Sequence, residues 1–194
     1  RVAQKKRREN PGFNGTEAFN YFLSVLFPAS QLRIMPYNRV VRDLGGLSDV
    51  EFLARIQERF DLEQAPVSPY APEAPHQFGM YFRDKWYKLT AKREYVPEQD
   101  PVNSLDAAIL QNNLLAPALG INDPRTDKRI EFIGGIRGLG ELERRVKEDM
   151  QIAFSLFPTS IADVMRVADA GLVMPPKSTW FEPKLLSGLF IHLI

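Results

Sequence analysis

RIEFIGGIRGLGELERRV, Arg129 to Val146, carries a strand, a turn and a helix in one run of sequence. Arg129 to Ile133 is rich in β-branched and aromatic residues, four glycines follow at 134, 135, 138 and 140, and Glu141 to Met150 places Leu142 and Val146 on one helical face. Such a unit belongs to a sheet covered by helices. Glycines let backbone amides approach an anion closely, and the start of the next helix offers unpaired N–H groups, so Gly134, Gly135, Arg137 and Gly138 form a candidate anion site. The spacing is neither G-x-G-x-x-G nor a Walker loop. The same residues suit a tight turn without a ligand. Glu141 and Glu143 favour the helix dipole while opposing an anion, and both readings stay open.

Working outward, Ile152 to Phe157 reads as a buried strand, Thr159 as the cap of a helix from Ser160 to Ala170, Gly171 as its left-handed stop, and Leu186 to Ile194 as a last strand. Upstream, Asp100-Pro101 is expected to open a helix through Leu105, Ile109 and Leu110 towards Pro117, closed by Gly120. Gly79 to Phe82 and Trp86 to Leu89 flank a polar turn and predict a β-hairpin. APVSPYAPEAP before it has the composition of a mobile connection. Leu47-Ser48-Asp49-Val50-Glu51-Phe52 is a capping box opening a helix to about Phe60. Leu32 to Val41 is a strand bent at Pro36, Tyr21 to Phe27 a strand buried on both faces, and Arg1 to Glu9 a solvated helix stopped at Asn10. LFPAS, Leu26 to Ser30, recurs as LFPTS, Leu156 to Ser160, each at the end of an apolar run, a weak echo more typical of shared strand-end chemistry than of duplication.

The expected class is therefore α+β (mixed α/β), a mixed β-sheet flanked by helices, in one truncated domain or two small subdomains. Residues 1–65 form a strand–helix segment continuing a missing N-terminal half, 66–99 the proline-rich connection and aromatic hairpin, and 100–194 an α/β segment with the glycine loop and a C-terminal strand. Arg1 begins the chain without Met amid strong helix formers, which reads as the tail of a cut helix.

With 25 Lys and Arg against 24 Asp and Glu, no overall field draws the chain to nucleic acid or an anionic membrane. The absence of cysteine excludes a disulfide scaffold and thiolate metal sites, two distant histidines argue against a metal centre, and a reducing cytoplasm fits. The longest apolar runs fall far below the roughly 20 residues of a membrane span.

Two further segments are candidates. Asp123 to Arg129 offers Arg125 and Lys128 to phosphates and Asp123 or Asp127 to a metal or hydroxyl, or else forms surface ion pairs. MPPKSTWFEPK, Met174 to Lys184, joins two stiffening prolines to Lys177, Ser178 and Thr179, which suit an anion, with Glu182 as a second candidate acid. Trp180 and Phe181 suit packing equally. Arg39, at the proline-bent strand, is another candidate. No nucleophile triad is present, and His192 reads as a strand histidine.

The blocks NYFLSVLFPASQLRIMPYNRVV, DPVNSLDAAILQ, DPRTDKRIEFIGGIRG, AFSLFPTSIADVMRVADAG and MPPKSTWFEPKLLSGLFIHLI resemble the C-terminal half of the prokaryotic family called domain of unknown function 1015. The D-G-H-H-R motif of that family is not in this sequence; it is similar to the nucleotide-contacting motif of ParB-like free serine kinases. The resemblance implies a small-metabolite kinase of serine or a similar molecule, using ATP or ADP with Mg²⁺, its nucleotide held mainly by the missing half. It raises the ligand reading of Arg125, Lys128, Arg137 and Lys177 as anion-binding groups, of Ser178 and Thr179 as orienting hydroxyls, and of Asp127 or Glu182 as holding a hydroxyl or Mg²⁺. The alternatives are a non-catalytic metabolite-sensing or protein-interaction module and a scaffold for the missing half. Oligomeric state is not legible.

Overall fold

One six-stranded sheet draws on segments across most of the sequence, in the order Phe60–Gln64, Lys85–Ala91, Gln77–Phe82, Ile152–Leu156, Tyr37–Val41, Ile130–Gly134. The structure is a computed structural model that describes residues 1–184, 186 and 188–193. The chain divides into two compact units, one of Arg1–Leu32 with Pro183–Ile194 and one of Arg33–Glu182.

In the larger unit, Pro36 divides β1 (Arg33–Met35) from β2 (Tyr37–Val41), as a residue without an N–H must. Ser48 caps α2 (Asp49–Arg59): its hydroxyl accepts the Glu51 amide at 3.3 Å while the Glu51 carboxylate accepts the Ser48 amide at 2.9 Å. The helix runs directly into β3 (Phe60–Gln64), an edge strand with no turn signal before it. β4 (Gln77–Phe82) and β5 (Lys85–Ala91) form the expected hairpin, and Arg83 and Asp84 both adopt positive φ, as a two-residue primed turn requires. The proline-rich connection before β4 is pinned by Tyr70, buried to 1% exposure, whose carbonyl accepts the Ser155 hydroxyl at 3.0 Å. Gly79 permits that approach, because a Cβ there would stand 2.8 Å from the Tyr70 carbonyl oxygen.

The next helix, α3 (Asp106–Leu110), starts later than Asp100-Pro101 predicts. The Asp100 carboxylate takes the Val102 and Asn103 amides at 2.9 and 2.8 Å and holds this stretch in a turn. A π-helical turn, Gln111–Leu115, links α3 to α4 (Ala116–Leu119), and Gly120 ends the run with φ +68°. β6 (Ile130–Gly134), α5 (Gly140–Glu148) and β7 (Ile152–Leu156) follow as expected. Ser160, rather than Thr159, caps α6 (Ile161–Asp169) through a box with Asp163; the Thr159 hydroxyl instead donates to the Ser178 carbonyl at 3.1 Å. β8 (Trp180–Glu182), unforeseen, pairs with β1.

The fold is α+β, and every pairing among the described strands is antiparallel. One sheet face packs Val41, Phe78, Met80, Leu89, Ile152 and Phe154 against α2 and the α3–α4 run. The other packs Val40, Tyr81, Trp86 and Ala153 against Leu142 of α5.

In the smaller unit, α1 (Val2–Glu9) has no buried residue. Tyr21 to Phe27 is not a strand: it finds no partner strand among the described residues, and Phe22 and Leu26 are exposed. An apolar run becomes a strand only when a neighbour takes its hydrogen bonds. LFPAS therefore follows coil, whereas LFPTS closes β7. The described part of the expected terminal strand, residues 186 and 188–193, is also non-strand, and positions 187 and 194 of that expectation lie outside the described residues. His192 lies not in a strand but with Nε2 2.8 Å from the Ala18 carbonyl oxygen. No described helix is long and apolar enough to cross a membrane.

Ser48→Ala should lower unfolding free energy by about 1 kcal/mol, the usual worth of such a cap, in equilibrium urea denaturation.

Candidate functional site

Arg39 lies mid-strand in β2, opposite Phe132 of β6 and Phe154 of β7, and is 3% exposed. Its guanidinium donates to the Tyr37 carbonyl and, at 3.1 Å, to the Lys177 carbonyl, and stands 5.4 Å from the Phe132 ring centroid. Burial lowers its pKa to about 10, against the favourable charge of Asp106. The Lys177 turn is thus bound to β2 through its backbone, with φ +54° at Lys177 and Nζ 5.3 Å from the Tyr37 ring centroid. The Ser178 hydroxyl donates to the Pro175 carbonyl at 2.8 Å within the turn, while the Ser178 carbonyl accepts from Thr159. Thr179 is half-buried beside it. Trp180 packs edge-on against Tyr37 and donates its indole N–H to Glu182.

The glycine loop has a packing reason that needs no ligand. A Cβ at Gly134 would stand 2.6 Å from the Trp180 ring, and one at Gly135 would stand 2.8 Å from Pro36. Gly138 closes the 3-10 turn Gly135–Arg137 at φ +73°. Arg137 is exposed and 3.6 Å from Glu141, its partner one turn on. On the 123–129 loop, Arg125 forks onto Asp123 at 2.9 Å, holding that carboxyl down at about 2. Lys128 is exposed. Asp127 receives the Arg129 guanidinium at 2.7 Å, which keeps its carboxyl below the usual range and makes it a poor proton acceptor. Arg125 and Lys128 precede the start of β6 and Arg137 follows its end, separated by a five-residue strand of roughly 13 Å. Lys177, over Tyr37, belongs with the Arg137 end, since Tyr37 pairs with Gly134.

A cleft of about 420 Å³ forms elsewhere, between the start of α3 and the start of α6. LFPTS supplies one wall through Phe157 to Ser160, and Ser104, Leu105 and Asp106 supply the other, so two of the family-like blocks converge here. Asp106 takes the His76 amide on Oδ1 at 2.8 Å, where His76 is held at φ +67°. Its other oxygen, Oδ2, is sealed from solvent and has no hydrogen-bond partner among the described residues. Desolvation raises the Asp106 pKa to about 7; the His76 amide opposes the shift, Asp163 adds to it and Arg39 opposes it. Arg166 reaches in from α6 and donates to Ser104 Oγ at 3.0 Å and Asp163 at 3.2 Å. A carboxyl near neutrality beside a half-exposed guanidinium can bind a small polar molecule and exchange a proton with it. Sequence reading passed over both residues, because an acid at the first position of a helix is what the dipole ordinarily prefers. The one available signal was that both fall in family-like blocks.

Among the described residues no group of three or more His, Asp or Glu side chains is placed to hold a metal ion.

Residues 1–108 match the family described as "Protein of unknown function (DUF1015)". No protein of curated function matches the chain. Among solved structures, the chain is similar to a free serine kinase in complex with AMP (TM-score 0.48, 14% identity, 78% of this chain and 54% of that chain). It is also similar to a mutant free serine kinase in complex with ADP (TM-score 0.45, 16% identity, 78% and 54%) and to a conserved hypothetical protein from Pyrococcus furiosus (TM-score 0.45, 15% identity, 78% and 56%). The chain spans about half the length of these structures.

Gly134→Ala should destabilise the fold by about 1–3 kcal/mol through the clash with Trp180, seen as a lowered denaturation midpoint. Asp106 should shape the pH dependence of stability. Its native pKa lies above the ordinary aspartate value, so the native state binds the extra proton and stability falls as pH rises from about 4 through 7. Asp106→Asn should remove that fall, its denaturation midpoint gaining on the parent as pH rises across this window.

Proposed function

The chain belongs to the DUF1015 family, and from that membership and the cleft geometry we propose that it supplies the metabolite-binding, proton-accepting part of an enzyme that phosphorylates a small hydroxylated metabolite such as serine. The carrying observation is the Asp106 carboxyl, desolvated to a pKa of about 7 and lining a cleft with Arg166. In this reading Arg166 pairs with the carboxylate of the metabolite, and Ser104 and Thr159 orient its polar groups. Asp106 accepts the hydroxyl proton as the metabolite oxygen attacks the terminal phosphoryl group of the donor, and the nucleoside phosphate departs with the donor's former bridging oxygen. An acceptor of pKa about 7 is ionised in a large fraction of molecules at neutral pH and still basic enough to take the proton. Glu98, Asp106 and Asp163 outnumber Arg166 around the cleft, so the phosphates of the donor, ATP or ADP with Mg²⁺, are held by groups outside it.

A second reading, a metabolite-sensing module without chemistry, is favoured by the dispersal of Arg125 and Arg137 to opposite ends of β6, each beside its own acid.

Phosphoryl transfer from ATP to serine, followed in the full-length protein with Mg²⁺ present, separates the two. Asp106→Asn should lower kcat by about 10²- to 10⁴-fold with metabolite affinity held within a few-fold, and Arg166→Met should act mainly on KM. Binding of serine without transfer in the parent protein would select the sensor. Unchanged kcat in Asp106→Asn would remove the proposed proton acceptor.

A further inference from the structure

A second cavity, of about 190 Å³, lies where the Pro175-Pro176 turn meets α3 and the start of the π-helical turn, and Arg39 forms part of its wall. Phe132, Ala108 and the two prolines give it apolar surfaces, while Asn103, Gln111 and Asn112 contribute amides. The Gln111 Nε2 group is already committed to the Ile121 carbonyl at 2.6 Å. Arg39 is 3% exposed, and no carboxylate among the described residues is within 4 Å of it; its described hydrogen-bond partners are two carbonyls. A buried cation hydrogen-bonded only to neutral acceptors, with Asp106 acting on it through space alone, gains from a directly paired anion. The π turn is a second, independent pointer, because this rare geometry is frequent at functional sites.

We infer that this cavity is a binding site for a small organic carboxylate, its charged head on Arg39 and its short hydrocarbon body against Phe132, Ala108, Pro175 and Pro176. The volume admits about six heavy atoms, judged from the roughly 30 Å³ share of a water molecule, which is the size of butyrate. The apolar walls select against fully hydrated anions such as inorganic phosphate. The site is separate from the Asp106 cleft and does not depend on the kinase reading.

The test titrates the full-length protein with butyrate and with inorganic phosphate by calorimetry, and follows the Arg39 side-chain N–H resonance by NMR. Butyrate should bind at least tenfold more tightly than phosphate and shift the Arg39 resonance. Ala108→Val, which fills the cavity and keeps Arg39, should weaken butyrate at least tenfold, as should Arg39→Gln, while Arg166→Met should leave it unchanged. If Arg39→Gln does not fold, Ala108→Val and the resonance decide. Phosphate binding as tightly as butyrate would overturn the inference. So would butyrate binding that survives Ala108→Val but is lost in Arg166→Met, which would place the ligand in the Asp106 cleft.

Discussion

The buried guanidinium of Arg39 constrains much of what surrounds it. A cation removed from water in the middle of a sheet is sustained only by acceptors held in place, and here these are the carbonyls of Tyr37 and Lys177, with the Phe132 ring alongside. The Lys177 carbonyl is 138 residues away in sequence, so satisfying Arg39 also binds the 175–179 turn onto β2. That turn places Trp180 against Tyr37 and over Gly134, where only glycine leaves room for the indole. The glycine that resembles a phosphate loop in sequence is thus accounted for by the docking of one tryptophan.

The same charge reaches α3. Arg39 favours an ionised Asp106, desolvation opposes it more strongly, and the balance leaves the carboxyl near neutrality. Asp106 faces one cavity and the following Ala107 and Ala108 face another, so a single helix start serves two openings of different character. One carries three acids, His76 and Arg166; the other carries a single cation and no acid. The Thr159 hydroxyl, bonded to the Ser178 carbonyl, ties the wall of the first to the turn that borders the second.

Local chemistry was legible wherever a few neighbouring residues sufficed to satisfy the backbone. The Ser48–Glu51 box, the break at Pro36, the primed turn at Arg83-Asp84 and the left-handed stops at Gly120 and Gly171 all follow from groups within a few positions of each other. Tyr21 to Phe27 has the composition of a buried strand and is not one, because pairing requires a partner that its own residues do not specify. The start of α3 was placed early because Asp100-Pro101 looks like a helix opening, whereas the Asp100 carboxylate captures two amides and delays the helix. For the sites, Arg39 was visible as a cation at a bent strand and the LFPTS block as a recurring motif. Asp106 and Arg166 were not visible, since their chemistry arises from burial and from two segments remote in sequence lining one cleft.

By itself, then, the sequence determined the α+β class, the position of most helices and strands, and the caps and turns between them, because those depend on short-range sterics and hydrogen bonds. Only the tertiary structure decided the antiparallel strand order, the burial of Arg39, the packing role of Gly134 and Gly135, and the raised pKa of Asp106. Each of these is a property of the distance between groups remote in the chain and of the water excluded from between them, and neither quantity is written in any local stretch of residues.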